Sequence, residues 1–179
     1  MECVRITTPD DVLIRQVERT YLSAFPPEER RDFTELEKLI YPDSPFTVQA
    51  LLTEGGYAGF ITYWNLEDFY YVEHFAIDEA ARNGGIGGKA LKRFLEQCDM
   101  PVVLEVERPE NEISRRRIGF YERSGFRLDT HPYRQPPYRC GGEWLDLYLM
   151  TYGNLNMERM YEVVKERLYK QVYRVETNR

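Results

Sequence analysis

The sequence predicts an α/β domain of the α+β kind: a mixed, mostly antiparallel central sheet, a parallel strand–helix–strand unit at its centre, and helices on both faces. Three observations carry this. Residues 46–77 hold three runs rich in β-formers with only short connections between them, which implies antiparallel pairing. Gly84, Gly85, Gly87 and Gly88 then crowd a loop that leads into an amphipathic helix and a Val-rich strand, the order of a right-handed parallel crossover. Two further β-rich runs, 126–128 and 144–152, close the sheet as a last antiparallel pair.

Taken in order, residues 3–6 read as a short first strand. Pro9, Asp10 and Asp11 open a helix whose apolar positions are Val12, Leu13, Val17 and Leu22, with the acidic residues at its positive end. Pro26 and Pro27 break it. A second helix over 28–41 carries Phe33, Leu36, Leu39 and Ile40 as its stripe and ends at Pro42 and Pro45. Strands 46–53 and 57–64 form a hairpin around Glu54, Gly55 and Gly56, and a third strand covers 69–77. After the glycine loop, residues 89–98 form a helix with Ala90, Leu91, Phe94, Leu95 and Cys98 on one face. Strand 101–107 and helix 113–123 follow, and the Pro-rich segment 131–140 links the final strands. Residues 1–152 make one domain of this architecture. Residues 153–179 add an amphipathic helix, with Met157, Met160, Tyr161, Val164, Leu168 and Val172 at steps near 3.6, expected to pack on the domain or on a partner.

A chain of 179 residues suits one such domain, which can bury roughly 70% of its unfolded surface. Apolar residues at 42% and charged residues at 30% are ordinary for a soluble globular protein, and 14 Tyr, 9 Phe and 2 Trp supply a core. The net charge of −6 argues against nucleic acid as a partner, because a phosphate backbone is held by clustered Lys and Arg. Cys3, Cys98 and Cys140 form neither a disulfide framework nor a metal-ligand pattern, and His74 and His131 are too isolated for zinc, so no metal is expected. The start of the chain lacks the pattern of a signal peptide, and no apolar run approaches about 20 residues. The expectation is a cytoplasmic, reduced protein with no membrane partner.

The segment Arg82-Asn83-Gly84-Gly85-Ile86-Gly87-Gly88 lies between a strand and a helix. Glycine permits close approach of a ligand to the backbone, and the first N–H groups of the helix make an anion site, so a phosphate or pyrophosphate is the natural ligand. A P-loop is excluded, because Asn83 stands where its first glycine belongs and Ala90 where Ser or Thr belongs. A dinucleotide fingerprint is the runner-up: residues 85–90 fit G-x-G-x-x-A, and Glu105 lies where a ribose-binding acid is expected. Against it, residues 78–84 intervene between strand and loop, and the unit follows an antiparallel hairpin.

Arg82-x-x-Gly85-x-Gly87 matches the R/Q-x-x-G-x-G/A loop of the GCN5-related N-acetyltransferases (GNAT), and Tyr121-x-x-x-Gly125-Phe126 looks like that family's Y-x-x-x-G-F segment. The chain resembles this family over residues 1–152, in both motifs and in the order of elements.

The resemblance implies a set of site residues. The backbone of Phe75, Ala76 and Ile77 would bind the pantetheine arm of acetyl-coenzyme A, and one N–H there would polarise the thioester carbonyl. The N–H groups of Arg82, Asn83, Gly84, Gly85, Ile86, Gly87 and Gly88 would hold the pyrophosphate. Tyr121 looks like the general acid that protonates the departing thiolate, and Glu73 like the base, directly or through water. By period-two alternation Glu73 shares a face with Phe69, Tyr71 and Phe75, where burial is expected to raise its pKa toward a useful value, while His74 faces the other way as a packed residue. Glu105 and Glu107 are secondary candidates, or partners for one of Arg115, Arg116 and Arg117. Ser114 stands where many members carry a cofactor-binding Asn.

The implied function is an N-acetyltransferase that moves an acetyl group from acetyl-coenzyme A, its co-substrate, to a primary amine by direct attack in a ternary complex. The alternatives are a non-catalytic acyl-coenzyme A module and a dinucleotide-binding protein. The acceptor is not legible in the sequence, since fold does not fix it. The oligomeric state is also open, with a homodimer among the alternatives.

Overall fold

The computed structural model describes residues 1–82 and 84–175. Its strands are β1 (Glu2–Ile6), β2 (Phe46–Thr53), β3 (Gly56–Asn65), β4 (Tyr70–Ile77), β5 (Val102–Glu107), β6 (Arg127–Gln135) and β7 (Leu145–Tyr152). They form one sheet in the order β1-β2-β3-β4-β5-β7-β6. The helices are α1 (Ile14–Ala24), α2 (Phe33–Glu37), α3 (Ile86–Leu95), α4 (Glu112–Arg123) and α5 (Met157–Arg167), the last running into a π-helical turn at Leu168–Val172. The mixed, mostly antiparallel sheet predicted from sequence is therefore present. The chain divides into two compact units: Met1–Asn65 with Val72–Cys98, and Leu66–Tyr71 with everything from Asp99 onward.

In the first unit β1 pairs antiparallel with β2, and β2 with β3. Residues 46–51 of β2 are buried on both faces, as a continuous Phe-Thr-Val-Gln-Ala-Leu run allows. The hairpin turns at Gly56, whose φ of 97° suits glycine.

Two helical expectations need correction here. Helix α1 begins at Ile14, because the Asp11 carboxylate accepts the Leu13 N–H at 2.8 Å and holds a turn ahead of it. Its buried face is Ile14, Val17, Thr20 and Tyr21, leaving Val12 88% and Leu22 43% exposed. The continuous helix expected over 28–41 is instead a 3₁₀ turn at Pro27–Glu29 followed by the short α2. Arg30 and Asp32 are extended between them. Hydrogen bonds from Arg30 Nε to the Phe25 carbonyl (2.9 Å) and from the Tyr21 hydroxyl to the Arg31 carbonyl (3.2 Å) anchor this stretch. The break lets Phe33 and Leu36 enter the core.

In the second unit β7 lies antiparallel to both β5 and β6. Strand β6 runs to Gln135, through residues expected as a Pro-rich linker, because an irregularity between Asp129 and Tyr133 absorbs Pro132. Helix α5 buries Met157, Tyr161 and Val164, and the π-helical turn continues the apolar stripe with Leu168 and Val172. Tyr161 donates to the Pro132 carbonyl at 2.5 Å and Tyr169 to the Arg134 carbonyl at 2.6 Å, so the helix is tied to β6 by side chains as well as by packing. Among the described residues, no helix is long and apolar enough to cross a membrane.

Candidate active site

Strand β4 ends at Ile77, and the chain then turns through a 3₁₀ segment at Glu79–Ala81 before the glycine loop. Asp78 fixes that turn. Its buried carboxylate accepts from the Thr20 hydroxyl at 2.6 Å and from the Ala80 N–H at 3.1 Å, with Arg19 at 3.4 Å. The Thr20 hydrogen bond, ahead of burial, which opposes it, and the bonds from Ala80 and Arg19 hold the Asp78 carboxyl below its ordinary range. Arg82 folds back so that its Nε donates to the Ile77 carbonyl at 3.3 Å. Sequence reasoning missed Asp78 and Thr20, whose partnership spans 58 residues.

Gly84 and Gly85 are exposed and left-handed, with φ of 90° and 71°. Gly85 is the N-cap of α3 and offers no side chain, so the first N–H groups of the helix face outward without a cap. A Cβ at Gly84, Gly85 or Gly88 would meet nothing within 4 Å. Open space in front of a helix start is what an anionic ligand needs. Asn83, part of the same predicted set, lies outside the described residues. Ile86, Gly87 and Gly88 form the first turn of α3.

On β4, Ala76 is buried and Phe75 and Ile77 are half-buried. Gly59 of β3 lies so close to this stretch that a Cβ there would meet the Ala76 carbonyl oxygen at 2.3 Å. Only glycine fits at that point, and the shape of the β4 end depends on it.

Glu73, also on β4, is fully buried on its side-chain side. Arg31 Nη2 lies 2.5 Å from its Oε1, and the Trp64 indole N–H donates to Oε2 at 2.7 Å. Burial alone pushes the carboxyl up, as expected from sequence. The Arg31 guanidinium and the two hydrogen bonds outweigh it, however, and the group lies below its ordinary value. Arg31 stacks over Trp64 as well, 5.8 Å from the ring centroid. His74 points the other way, with its ring edge-on to Tyr21 and Phe25 and its Nε2 3.0 Å from the Glu29 carbonyl. Burial lowers its pKa, so it is neutral at pH 7 and its charge does nothing for Glu73 there.

In the second unit, the segment read as Y-x-x-x-G-F turns out to be a helix terminator. The Phe126 N–H donates to the Tyr121 carbonyl at 3.1 Å and the Gly125 N–H to the Glu122 carbonyl at 2.9 Å, the paired bonds of a Schellman motif. Gly125 has φ 93°, and the rings of Tyr121 and Phe126 meet at 5.5 Å as that motif's apolar contact. The spacing thus has a backbone cause, and it fixes the Tyr121 ring. Burial pushes the Tyr121 phenol up to about 12, with Arg117 opposing, so it keeps its proton across the neutral range.

Ser114 is buried within the capping box of α4: its N–H donates to the Asn111 side chain at 2.8 Å, and its hydroxyl accepts the Asn111 N–H at 3.2 Å. Of the three arginines, Arg117 pairs with Glu107 at 3.2 Å, Arg116 with Glu112 at 2.6 Å, and Arg115 donates to the Pro109 carbonyl. Glu105 has a different setting. It accepts hydrogen bonds from the Tyr133 and Tyr173 hydroxyls, the second at 2.7 Å. Neither tyrosine was marked by the sequence. The alternation of Tyr133 and Gln135 along β6 was the available signal, hidden by the proline beside it.

The sequence profile described as the acetyltransferase (GNAT) family matches residues 12–126. A protein of Bacteroides thetaiotaomicron assigned to the GNAT acetyltransferases is 41% identical, over 98% of this chain and 100% of that one, with a TM-score of 0.94. Two solved structures share the fold at lower identity. An acyl-CoA N-acyltransferase from Pseudomonas aeruginosa is 16% identical over 86% of this chain and 100% of its own (TM-score 0.57). A GNAT acetyltransferase from Elizabethkingia anophelis, solved with acetyl-CoA bound, is 16% identical over 69% and 84% (TM-score 0.50). No curated protein matches the chain. The profile spans more than half of the sequence, the 41% identical relative is matched along its whole length, and the chain belongs to the acetyltransferase (GNAT) family.

Proposed function

We propose that this protein transfers an acetyl group from acetyl-coenzyme A to a primary amine by direct attack in a ternary complex. The observation that carries the reading is the open, left-handed turn at Gly84 and Gly85 ahead of α3, whose outward N–H groups suit a pyrophosphate. The acetyl-CoA bound by the Elizabethkingia anophelis neighbour gives the same reading independent support.

In this proposal the main chain of Phe75, Ala76 and Ile77 binds the pantetheine arm, and one of its N–H groups stabilises the charge that develops on the thioester oxygen. The N–H groups from Arg82 to Gly88 hold the phosphates, and Asp78 keeps the turn before them in shape. Tyr121, protonated across the neutral range, gives its proton to the departing sulfur. Glu73 is ionised and held by Arg31 and Trp64, so in this reading it is a weak base, and the acceptor's own ionisation sets the pH dependence. Ser114 contributes by fixing the start of α4.

Thermal melting with added ligands tests the loop's role. At a hundredfold excess over its dissociation constant, coenzyme A adds about 2.7 kcal/mol, a rise of roughly 5–10 °C for a chain of this size. A shift with NAD and none with coenzyme A would replace this reading with the dinucleotide one.

A further inference from the structure

We propose that Gly59, with the bulge beside it at Ala58, is a positioning residue for acetyl transfer: it sets the direction of the β4 main chain assigned above to the pantetheine arm. This rests on the acetyl-transfer reading and adds to it residues that touch neither donor nor acceptor.

The bulge lies in β3. Leu51 of β2 faces Gly59, and the next residue, Leu52, faces Tyr57, so Ala58 is one residue more than β2 can match. Ala58 turns its carbonyl toward the end of β4 instead and accepts the Asp78 N–H at 2.9 Å. Beside it, buried Gly59 has φ 153°, a conformation that residues with a Cβ rarely adopt. A Cβ there would stand 2.3 Å from the Ala76 oxygen, 3.2 Å from the Ala76 carbonyl carbon and 2.9 Å from Ile77 Cα. All three are main-chain atoms, so β4 itself would have to move.

These contacts decide which way the strand end faces. The Ala76 oxygen lies nearer to that Cβ position than its own carbon does, so the carbonyl is turned toward β3. The His74 N–H, which donates to the Thr62 hydroxyl of β3 at 3.1 Å, and the Asp78 N–H point the same way. Successive residues of a strand aim their main-chain groups at opposite edges. With His74, Ala76 and Asp78 directed at β3, the N–H and C=O groups of Phe75 and Ile77 lie on the other edge. A pantetheine arm added as a strand meets that edge, and Ala76 is where β3 holds the segment from behind. The Ile77 carbonyl also accepts from Arg82 Nε, so the same short stretch carries the start of the glycine loop. Displacing a reacting group by roughly 1 Å can cost about 100-fold in rate, so a push on Ala76 is felt at the thioester.

Calorimetric titration with coenzyme A, and with 3′-phosphoadenosine 5′-diphosphate, which is coenzyme A without its pantetheine arm, tests this. Gly59→Ala should weaken coenzyme A by about 10- to 100-fold and the fragment by less than about twofold. Gly56→Ala is the control. Gly56 stands in the same strand at φ 97°, but a Cβ there meets nothing within 4 Å, so the change strains the hairpin without pushing β4. Coenzyme A should bind this control as it binds wild type. A second measurement uses the wild type alone and decides the matter where Gly59→Ala does not fold. Coupling is reciprocal, so a bulge that steadies the arm's site must be steadied by the arm. Hydrogen exchange at the Asp78 amide should slow at least about tenfold with coenzyme A, beyond any slowing shared by β1, and not with the fragment. Unchanged coenzyme A affinity in Gly59→Ala, an equal loss of both ligands, an equal loss in Gly56→Ala, or an Asp78 amide indifferent to the arm overturns the proposal. A wild-type protein that does not bind coenzyme A overturns the acetyl-transfer reading, and this proposal with it.

Discussion

Arg31 and Glu73 form an ion pair at 2.5 Å across 42 residues of sequence, with side chains 12% and 0% exposed. Two facts follow from that geometry. The carboxylate is ionised throughout the neutral range, and neither partner can be removed without stranding the other where water hardly reaches.

Glu73→Gln should therefore destabilise the protein by about 3–5 kcal/mol at pH 7, the cost of leaving one member of a buried pair alone. The folded Glu73 titrates below its ordinary value of 4.5, so its contribution is intact above that pH and fades as pH falls through the lower, folded value. Urea denaturation from pH 3 to pH 8 should show variant and wild type far apart at pH 7 and converging in acid. Equal stability at pH 7 would mean that the pair is solvated and contributes little.

Thr20→Val tests the anchor of the turn ahead of the glycine loop. Removing a hydroxyl 2.6 Å from buried Asp78 should cost about 1–3 kcal/mol and weaken coenzyme A binding, because the turn it fixes leads into Arg82. Calorimetric titration and melting on the same sample separate the two effects. Unchanged coenzyme A affinity would show that the turn keeps its shape without Thr20.

Gly85→Val should leave a folded protein and cut coenzyme A affinity at least tenfold. Its φ of 71° is strained for any residue with a Cβ, at roughly 1–2 kcal/mol, and more so for a β-branched one. The surrounding space is open, so the harm comes from the altered backbone and the bulk set before the helix start. Wild-type affinity in this variant would remove the loop from the phosphate site.

Tyr121→Phe should lower kcat by about 10²- to 10⁴-fold with little change in the KM for acetyl-coenzyme A, since only the hydroxyl is lost and the Schellman turn remains. With the phenol near 12, the wild-type rate should show no alkaline limb from this group below about pH 11. Steady-state kinetics across pH reads both, and an unchanged kcat would assign the proton to solvent.

The parts of the site that could be read from sequence are those whose cause is local. The glycine loop and the Tyr121–Gly125–Phe126 spacing are each set by backbone geometry within a few residues, so the pattern is visible as written. Arg31 with Glu73, Thr20 with Asp78 and Tyr173 with Glu105 lie 42, 58 and 68 residues apart, and nothing near any of them announces its partner. The predicted rise in the pKa of Glu73 failed for that reason: alternation along β4 located the buried face but not the arginine that meets it. The apolar stripe of α1 was right at Val17 and wrong at Val12 and Leu22: Val12 precedes the helix, and the position beside Leu22 that turns inward is Tyr21.

In the proposed reaction an amine, and not water, receives the acetyl group. Thiol release from acetyl-coenzyme A, followed with and without butane-1,4-diamine and with the product weighed by mass spectrometry, tests it directly. Release should depend on the amine and match, one for one, a product heavier by a single acetyl group. Thiol release at the same rate without any amine, or coenzyme A binding with no acetylated product from any primary amine tried, would contradict it.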